Sequence, residues 1–340
     1  MNDMQSAAVF AQTNDAHGNE LVAFTHDGDG RLVNAGSYRT GGRGNGAPHL
    51  PSQGSIAIDA EGRRLLVANA GSHELSLFSI AGAPTLLAHV ASGGERPVSI
   101  AIHGDRVFVL NAGNATIVGF TLVGDALIPV PGTLRALADG SDPAQIAFSP
   151  SGDALVITDR ATNSIVVYLL DADGLPAERK TFAASGVTPY GFDFAGDVLV
   201  VTEAFGGQVG AAAASSYALD GGELEPVSPS VGNTRSEVCW AIASADGRHA
   251  WVTNFGDGTI SRYAIGSDGS LELADAVAAT TVEGMKGIRD AARSGDGRFF
   301  YALDADAQRV FAYRVGDEGR LEAIGSANGL PGTVAGLAAV

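Results

Sequence analysis

The chain has 340 residues, and its 38 Asp and Glu outweigh 21 Lys and Arg to give a formal net charge of −17. Nucleic acids and anionic membranes are bound through clustered Lys and Arg, and no such cluster occurs, so the composition argues against both partners. A single cysteine, Cys239, rules out an intrachain disulfide. Because no run approaches ~18 apolar residues and no basic leader begins the sequence, we expect a soluble, cytoplasmic protein.

In chain order, the first complete unit of a repeat is the segment 55–80. It contains an apolar strand (SIAID), a polar turn with glycine, a second apolar strand (LLVAN), a turn of small residues and a third strand (LSLFSI). Three short strands joined by tight turns predict an antiparallel meander.

The polar residue that closes the second strand recurs along the chain at intervals of 42 to 55 residues. Its positions are Asn14, Asn69, Asn111, Asp159, Glu203, Asn254 and Asp304. Four strands of about five residues, with their turns, fill such a period, which is the size of a propeller blade. These seven repeats predict an all-β fold, a seven-bladed β-propeller of four-stranded antiparallel blades that forms a single domain over residues 1–340.

The two ends of the sequence complement each other. Residues 333–340 (TVAGLAAV) read like the first strand of other repeats, whereas the N-terminal segment AAVFAQT reads like a second strand. We therefore expect 333–340 to supply the innermost strand of a first blade whose remainder is residues 7–39. Removal of about eight C-terminal residues should then open the ring and expose unpaired strand edges.

Long loops mark one face of the predicted ring. The turn after each second strand and the crossover into the next blade open on the same face. Residues 39–53, 203–215 and 231–240 exceed hairpin length there. Such loops carry function in many folds, although tolerated insertions are the alternative. The first of them contains Arg43, a candidate contact for an anion.

Arg289 and Asp290 stand at the start of a first strand whose counterparts are apolar in the centre. A charged pair there must be solvated or paired. It forms either a salt bridge between blades or an arginine clamp for a substrate carboxylate, with Asp290 as acid, base or orienting partner. Glu203 opens a long turn, where it acts as a general acid or base or is held by backbone amides as a turn residue.

Further candidates lie in the crossover loops. Trp240 forms either the floor of a pocket or part of the blade packing. Arg235 and Lys286 are candidate contacts for an anionic substrate. His49 is a candidate proton-transfer group. We expect Cys239 to be inert, because the sequence offers it no partner base.

Four blade segments carry a resemblance to a known family. They are residues 33–42, 96–113, 142–174 and 237–271. Through them, essentially the whole chain resembles the lactonase-like seven-bladed propellers, which include cycloisomerase-type 6-phosphogluconolactonases and the fungal 3-carboxymuconate cyclase. The resemblance implies the same fold and a small-molecule substrate.

Enzymes of that family commonly carry an Arg-His pair at the start of a first strand and an acidic residue after a second strand. The acidic position holds Asp159, Glu203 and Asp304. The pair is altered: it appears as Ala144-Gln145 in the best-matching segment, and only Arg289-Asp290 keeps an Arg. Gln145 therefore stands where the family has its His, and it is a candidate substrate contact.

The favoured function is a lactonase or cycloisomerase that hydrolyses or forms a lactone on a small carboxylated or sugar-acid substrate, without a metal. Arg289 would bind the carboxylate or an oxyanion, and Glu203 or His49 would move the proton. The alternative is a non-catalytic propeller that binds a small molecule or a protein on its top face. Ca²⁺ or Mg²⁺ on Asp and Asn around the channel is the alternative to a metal-free site, and the sequence leaves the oligomeric state open.

Overall fold

The computed structural model describes residues 8–27, 29–48 and 50–340. Within these ranges the chain forms 29 β-strands in seven antiparallel sheets, which follow one another around a central channel. The predicted all-β propeller is confirmed. In the same ranges the helical segments are two 3₁₀ turns, Phe205–Gly207 and Asp317–Gly319, and no helix is long and apolar enough to cross a membrane.

The strands are numbered in chain order. They are β1 Val9–Gln12, β2 Glu20–His26, β3 Leu32–Arg39, β4 Ile56–Ile58, β5 Arg64–Asn69, β6 Glu74–Ser79, β7 Thr85–Ala91, β8 Pro97–His103, β9 Arg106–Asn111, β10 Thr116–Val123, β11 Ala126–Pro129, β12 Arg135–Ala136, β13 Pro143–Phe148, β14 Ala154–Asp159, β15 Ser164–Leu170, β16 Pro176–Ala183, β17 Pro189–Ala195, β18 Val198–Glu203, β19 Ala213–Asp220, β20 Glu223–Gly232, β21 Val238–Ala243, β22 His249–Asn254, β23 Thr259–Ile265, β24 Leu271–Thr280, β25 Ile288–Arg293, β26 Phe299–Asp304, β27 Arg309–Val315, β28 Leu321–Ala327 and β29 Leu337–Ala339. From channel to rim, blade one consists of β29, β1, β2 and β3. Blades two to seven take β4–β7, β8–β12, β13–β16, β17–β20, β21–β24 and β25–β28.

The C-terminal strand closes the ring, as the sequence predicts. β29 pairs with β1 in antiparallel register, with Val9 opposite Ala339 and Ala11 opposite Leu337. Blade one is thereby completed by strands from both ends of the chain.

Alternation along the inner strands places each sheet between two neighbours. In β1, Val9 packs against blade seven in a cluster with Tyr301, while the next residue, Phe10, packs against blade two in a cluster with Leu65. Both faces of β1 are therefore buried, and its first three residues are apolar. An outer strand such as β3 instead alternates between exposed and partly buried side chains.

Blade three departs from the four-strand pattern. Both β11 and β12 pair with β10, because residues 130–134 interrupt the outer strand. The Thr133 hydroxyl accepts the Gly119 N–H at 2.9 Å and so replaces a ladder hydrogen bond at the interruption.

The repeated polar residue that closes each second strand anchors a crossover loop. Asn69 Oδ1 accepts hydrogen bonds from Asn19 Nδ2 at 3.0 Å and Thr40 Oγ1 at 2.8 Å. Its Nδ2 donates to Ser76 Oγ at 2.8 Å. The crossover lies directly on this side chain, since a Cβ at Gly42 would stand 2.5 Å from Asn69 Cγ. The repeat visible in the sequence is therefore a structural junction between blades.

A second repeated position ties the innermost strands of blades four and seven to the next blade. The Gln145 side chain bonds to both backbone groups of Phe192: Nε2 donates to the carbonyl at 2.9 Å, and the Phe192 N–H donates to Oε1 at 2.7 Å. Three blades later in this series, Asp290 Oδ2 accepts the N–H of Leu337 at 2.8 Å. The position at which the family commonly carries a His thus serves as an inter-blade link in this chain.

Blade five has a glycine, Gly191, at that linking position. The side chain of Gln53, from the crossover into blade two, takes over the link to blade six. Its Nε2 donates to the Ala241 carbonyl at 2.9 Å and its Oε1 accepts the Ala241 N–H at 3.3 Å. Blades two and six are not neighbours, so Gln53 reaches across the channel.

Candidate functional site

A cavity of about 270 Å³ lies on the top face, defined here as the face that carries the crossover loops and the turns after the second strands. Blades five, six and seven meet there. Its lining residues are Thr188, Tyr190, Ala204, Gly206, Gly207, Glu237, Val238, Cys239, Trp240, Phe255, Ile288 and Arg289. Most of the site is therefore formed by the first residues of three adjacent innermost strands and by the residues just before them.

Two aromatic side chains form the floor of the cavity. Trp240 is almost fully buried, its ring lies 5.0 Å from that of Tyr190, and its indole N–H donates to the carbonyl of Arg289. Arg160 Nη1 donates to the Tyr190 hydroxyl at 3.0 Å, with the guanidinium 4.8 Å from the ring centroid. Burial raises the pKa of Tyr190, so the phenol is neutral at pH 7.

The cationic wall of the cavity is Arg289. Its guanidinium stacks 4.2 Å from the centroid of the Phe255 ring, and Nη2 lies 3.4 Å from Asp306 Oδ1. Only 11% of the side chain is exposed, so a guanidinium held against an aromatic face is presented to the cavity in a fixed orientation.

A carboxylate, Glu237, also lines the cavity, directly before the innermost strand of blade six. Its Oε2 lies 3.1 Å from Lys286 Nζ, and a third of its side chain is exposed. The Lys286 ammonium is 5.5 Å from the Phe255 centroid, which places it at the edge of the cavity. The Glu237 carboxylate is therefore accessible both from solvent and from the cavity.

The backbone at the mouth of the cavity is strained. Thr188 and Glu237 each directly precede an innermost strand, and both adopt positive φ, 60° and 53°. Left-handed conformations cost a non-glycine residue of order 1–3 kcal/mol and cluster at functional sites. Arg96, which directly precedes β8 of blade three, adopts the same conformation with a φ of 54°, so the conformation is a feature of the repeated crossover and not of this cavity alone.

The Cys239 thiol lies in the floor between these charged groups. Burial raises its pKa to about 12, with smaller effects from Arg289 and Glu237. The sulfur is thus a neutral thiol at pH 7, and its S–H points at the Glu237 carbonyl 3.4 Å away.

Glu203 lies outside the cavity lining and is fully buried. It accepts hydrogen bonds from Ser215 Oγ at 2.5 Å, Ser230 Oγ at 2.6 Å and the Gly186 N–H at 2.8 Å. Burial raises its pKa. These contacts place Glu203 in the same blade-junction position as Asn69. The turn it opens is also shorter than predicted, because β19 begins at Ala213.

Asp290 points away from the cavity although its neighbour Arg289 lines it. Arg289 is the extra residue of an irregularity in the ladder between Ile288 and Asp290, and the two side chains do not form the predicted clamp. Both Asp290 oxygens accept backbone N–H groups, from Ala291 and Leu337, each at 2.8 Å. Burial raises the pKa of Asp290 to about 8.

The other predicted residues lie apart from this site. Arg235 pairs with Asp257 at 3.5 Å, and Gln145 is engaged in its inter-blade link. His49 lies outside the described residues. The structure thus brings together Arg289, Trp240 and, at the edge, Lys286, and the expected convergence of Glu203, Asp290 and Arg235 on one pocket does not occur.

Sequence reasoning missed Glu237, Tyr190 and Phe255. The available signal was positional: Tyr190 occupies in blade five the place that Arg289 occupies in blade seven, two residues after the crossover ends. Glu237 stands one residue before its strand, outside the strand positions that correspond to the Arg-His pair.

Among the described residues, no group of three or more His, Cys, Asp or Glu side chains is arranged to hold a metal ion.

The chain is a seven-bladed propeller with a small cavity of aromatic and charged side chains on its top face. The family model described as "Lactonase, 7-bladed beta-propeller" matches residues 125–210 and 200–335. The chain belongs to this family, and the resemblance inferred from the sequence is confirmed. The matched region contains all of the cavity-lining residues.

Solved structures show the same fold at low sequence identity. The periplasmic gluconolactonase of Pseudomonas aeruginosa is 19% identical, with a TM-score of 0.75 over 97% of this chain and 98% of that one. A candidate 6-phosphogluconolactonase of Bacteroides fragilis is 15% identical, with a TM-score of 0.75 over 99% of both chains. A protein from Lactobacillus plantarum is 18% identical, with a TM-score of 0.78 over 98% and 99%. No curated protein matches the sequence.

Proposed function

We propose that the protein hydrolyses a small carboxylated or sugar-acid lactone in the cavity of blades five to seven, without a metal ion. The observation that carries this proposal is the placement of a cation and a carboxylate on one aromatic floor. Arg289 and Glu237 both line the cavity, together with Tyr190 and Trp240. Membership of the lactonase family supports a small-molecule substrate.

The cavity suits one small ring. Its volume of about 270 Å³ is just below the range of roughly 300–1,000 Å³ that is typical of ligand pockets. The Trp240 and Tyr190 rings offer an apolar surface to one face of a lactone. Arg289 offers a planar pair of donors, which match a carboxylate or the carbonyl oxygen of the ester. The substrate is therefore expected to be anionic.

Glu237 is the group best placed to take a proton. In the proposed reaction it accepts a proton from a water molecule as that water attacks the lactone carbonyl carbon. The oxygen of the resulting tetrahedral intermediate gains negative charge beside Arg289, which stabilises it. The ring C–O bond then breaks, the leaving oxygen takes the proton back from Glu237, and the product is the open hydroxy acid. The same groups serve the reverse cyclisation.

The test is lactone hydrolysis by the purified protein against sugar-acid, muconolactone-type and neutral aliphatic lactones, with and without EDTA. We expect turnover of an anionic lactone that persists in EDTA. Glu237→Gln should lower kcat by about 10²-fold or more, the usual contribution of a general base, and Arg289→Ala should lower kcat/KM. Arg309→Ala, on the exposed start of β27, is the matched control and should leave the rate unchanged.

Two results would overturn the proposal. Activity that requires added Ca²⁺ or Mg²⁺ would contradict the metal-free mechanism. Absence of turnover for every lactone by the folded protein would favour a non-catalytic binding site instead. The ion pairs that already engage Arg289 and Glu237 are the observation that favours this second function.

A further inference from the structure

A second cavity lies on the rim of the top face, on the blade one and blade two side of the ring. It measures about 430 Å³ and is lined almost entirely by polar side chains and glycine. We call it the rim pocket, and its basic lining residues are His17, Arg39, Arg43 and His89. Four basic side chains in one cavity are unusual for a chain with a net charge of −17.

Arg39 and Arg43 are available to a ligand. Neither guanidinium makes an ion pair or a side-chain hydrogen bond with any residue of the described ranges. Most cations of the chain are engaged, as Arg64 is with Asp59 at 2.8 Å. These two exposed arginines have no carboxylate partner among the described residues. They therefore make the electrostatic potential of the cavity locally positive, although the protein as a whole is negatively charged.

Two carboxylates beside the rim pocket are already engaged by histidines. Glu74 Oε2 lies 3.0 Å from His89 Nε2, and Asp15 Oδ1 lies 3.4 Å from His17 Nδ1. Each acid faces a histidine rather than an arginine. The arginines therefore keep their hydrogen-bond donors for an external acceptor.

The backbone holds both arginines in place. The Arg43 N–H donates to Ser72 Oγ at 2.9 Å, and the Arg43 carbonyl accepts the N–H groups of Gly71 at 3.0 Å and Ser72 at 3.2 Å. Arg39 ends β3 and is paired in register with Glu20. Two guanidinium groups anchored on adjacent blades bind a common ligand with little ordering of the main chain.

We propose that the rim pocket is a second binding site, for a small polar molecule that carries a phosphate or carboxylate group. Arg39 and Arg43 grip the oxyanion through paired N–H donors, which match both groups geometrically. The volume of about 430 Å³ leaves room for a hydroxylated body beyond the anionic group. This site is separate from the cavity of blades five to seven, and it does not depend on lactone hydrolysis.

Calorimetric titration tests the proposal with inorganic phosphate, glucose 6-phosphate and gluconate as anionic probes and glucose as the neutral probe. All titrations use the Arg289→Ala protein, so that binding in the other cavity does not contribute. We expect at least one anionic probe to bind, glucose not to bind, and affinity to fall as salt screens the charges. Comparison of the two phosphate probes with gluconate shows whether the site prefers a phosphate or a carboxylate group.

Arginine variants identify the site. Arg39→Ala combined with Arg43→Ala should weaken binding at least tenfold, whereas Arg63→Ala and Arg179→Ala, two exposed arginines away from the pocket, should change it less than about twofold. All four positions are exposed, so these variants should keep the fold. Binding that is equal in both sets of variants, or no binding of any anionic probe, would overturn the proposal.

Discussion

Gln53 fills the space that the missing side chain of Gly191 leaves, although the two residues belong to blades two and five. A Cβ at Gly191 would lie 2.4 Å from Gln53 Oε1 and 2.7 Å from the carbonyl oxygen of Cys239. In this position Gln53 makes both hydrogen bonds to Ala241, as Gln145 does to Phe192 in the neighbouring blade. A residue from across the channel thus completes the ring of inter-blade links.

This relationship predicts that Gly191 and Gln53 are energetically coupled. Gly191→Ala should lower the free energy of unfolding by about 1–3 kcal/mol, because a well-packed site has no room for the methyl group. Gln53→Ala should cost about 1–3 kcal/mol, since it leaves two buried backbone groups of Ala241 without partners. The double variant should be less destabilised than the sum, because removal of Gln53 relieves part of the clash.

Urea unfolding of the two single variants and the double variant measures this coupling. Gly82→Ala is the matched control, because a Cβ there meets nothing within 4 Å, and it should leave stability nearly unchanged. Strict additivity would show that Gln53 does not occupy the space beside Gly191 in solution.

Two carboxylates, Glu203 and Glu237, should respond differently to the loss of charge. Glu203→Gln keeps the shape of the side chain: the amide oxygen can accept from Ser215 and the Gly186 N–H, and the Ser230 hydroxyl can reverse to accept from the amide nitrogen. We therefore expect kcat to stay within about twofold of the wild type and stability to fall by about 1 kcal/mol or less. Glu237→Gln should do the opposite, lowering kcat by about 10²-fold or more with little change in stability.

Parallel measurement of lactone turnover and thermal unfolding separates these roles. Glu203→Ala is a second structural probe, since it leaves three hydrogen-bond donors unpaired in the interior. It should be clearly less stable than Glu203→Gln. A large fall in kcat for a folded Glu203→Gln protein would instead restore Glu203 as the proton-transfer group.

The fold was predictable because residues close together in the sequence are enough to recognise each repeat. Each blade closes its second strand with a polar residue, and the side chain of Asn69 shows how such a residue makes the hydrogen bonds of a junction. The ring closure was predictable for the same reason, since 333–340 matches the first-strand pattern that the N-terminus lacks. Local turns and alternation suffice for both inferences.

The site was less predictable because it depends on contacts between blades. Glu203 and Glu237 are both acidic residues beside loops of the top face, but three hydrogen bonds hold Glu203 in a blade junction, whereas Glu237 lines the cavity. Arg289 and Asp290 attract attention as a pair, yet the ladder is irregular between Ile288 and Asp290, and only Arg289 lines the cavity. The rings of Tyr190 and Phe255 join the site from other blades, and one sequence does not reveal such long-range neighbours.

Lys286 should determine preference between charged and neutral lactones. Its ammonium pairs with Glu237 at 3.1 Å while more than half of the side chain is exposed. Exposed ion pairs contribute only about 0–1 kcal/mol, so a substrate carboxylate competes easily for Lys286 and releases Glu237 as a base. In Lys286→Met we expect KM for an anionic lactone to rise several-fold, about 1 kcal/mol of lost binding, with no rise in KM for a neutral lactone.

Steady-state kinetics with one anionic and one neutral lactone measure this split. Lys180→Met is the control, because Lys180 pairs with Glu223 at 2.7 Å on the outer strands of blades four and five. It should leave both substrates unaffected. Equal losses for the two lactones in Lys286→Met would exclude a role in reading substrate charge.

Asp290 should make the protein less stable as pH rises from about 4 to about 8. Burial raises its pKa from 3.8 to about 8 in the folded state, so over this interval the folded protein holds a proton that the unfolded chain has released. The free energy of unfolding then falls with pH, by at most about 1.4 kcal/mol per pH unit from this group, and levels off above pH 8.

Asp290→Asn is less stable overall, because its amide faces a backbone N–H of Ala291 or Leu337, but its stability should fall less steeply between pH 4 and 8. Urea unfolding of both proteins across this range measures the slopes, and Asp317→Asn, on an exposed turn, is the control that should keep the wild-type slope. Identical slopes for wild type and Asp290→Asn would show that Asp290 is ionised throughout and that the link from blade seven to the closing strand carries a full negative charge.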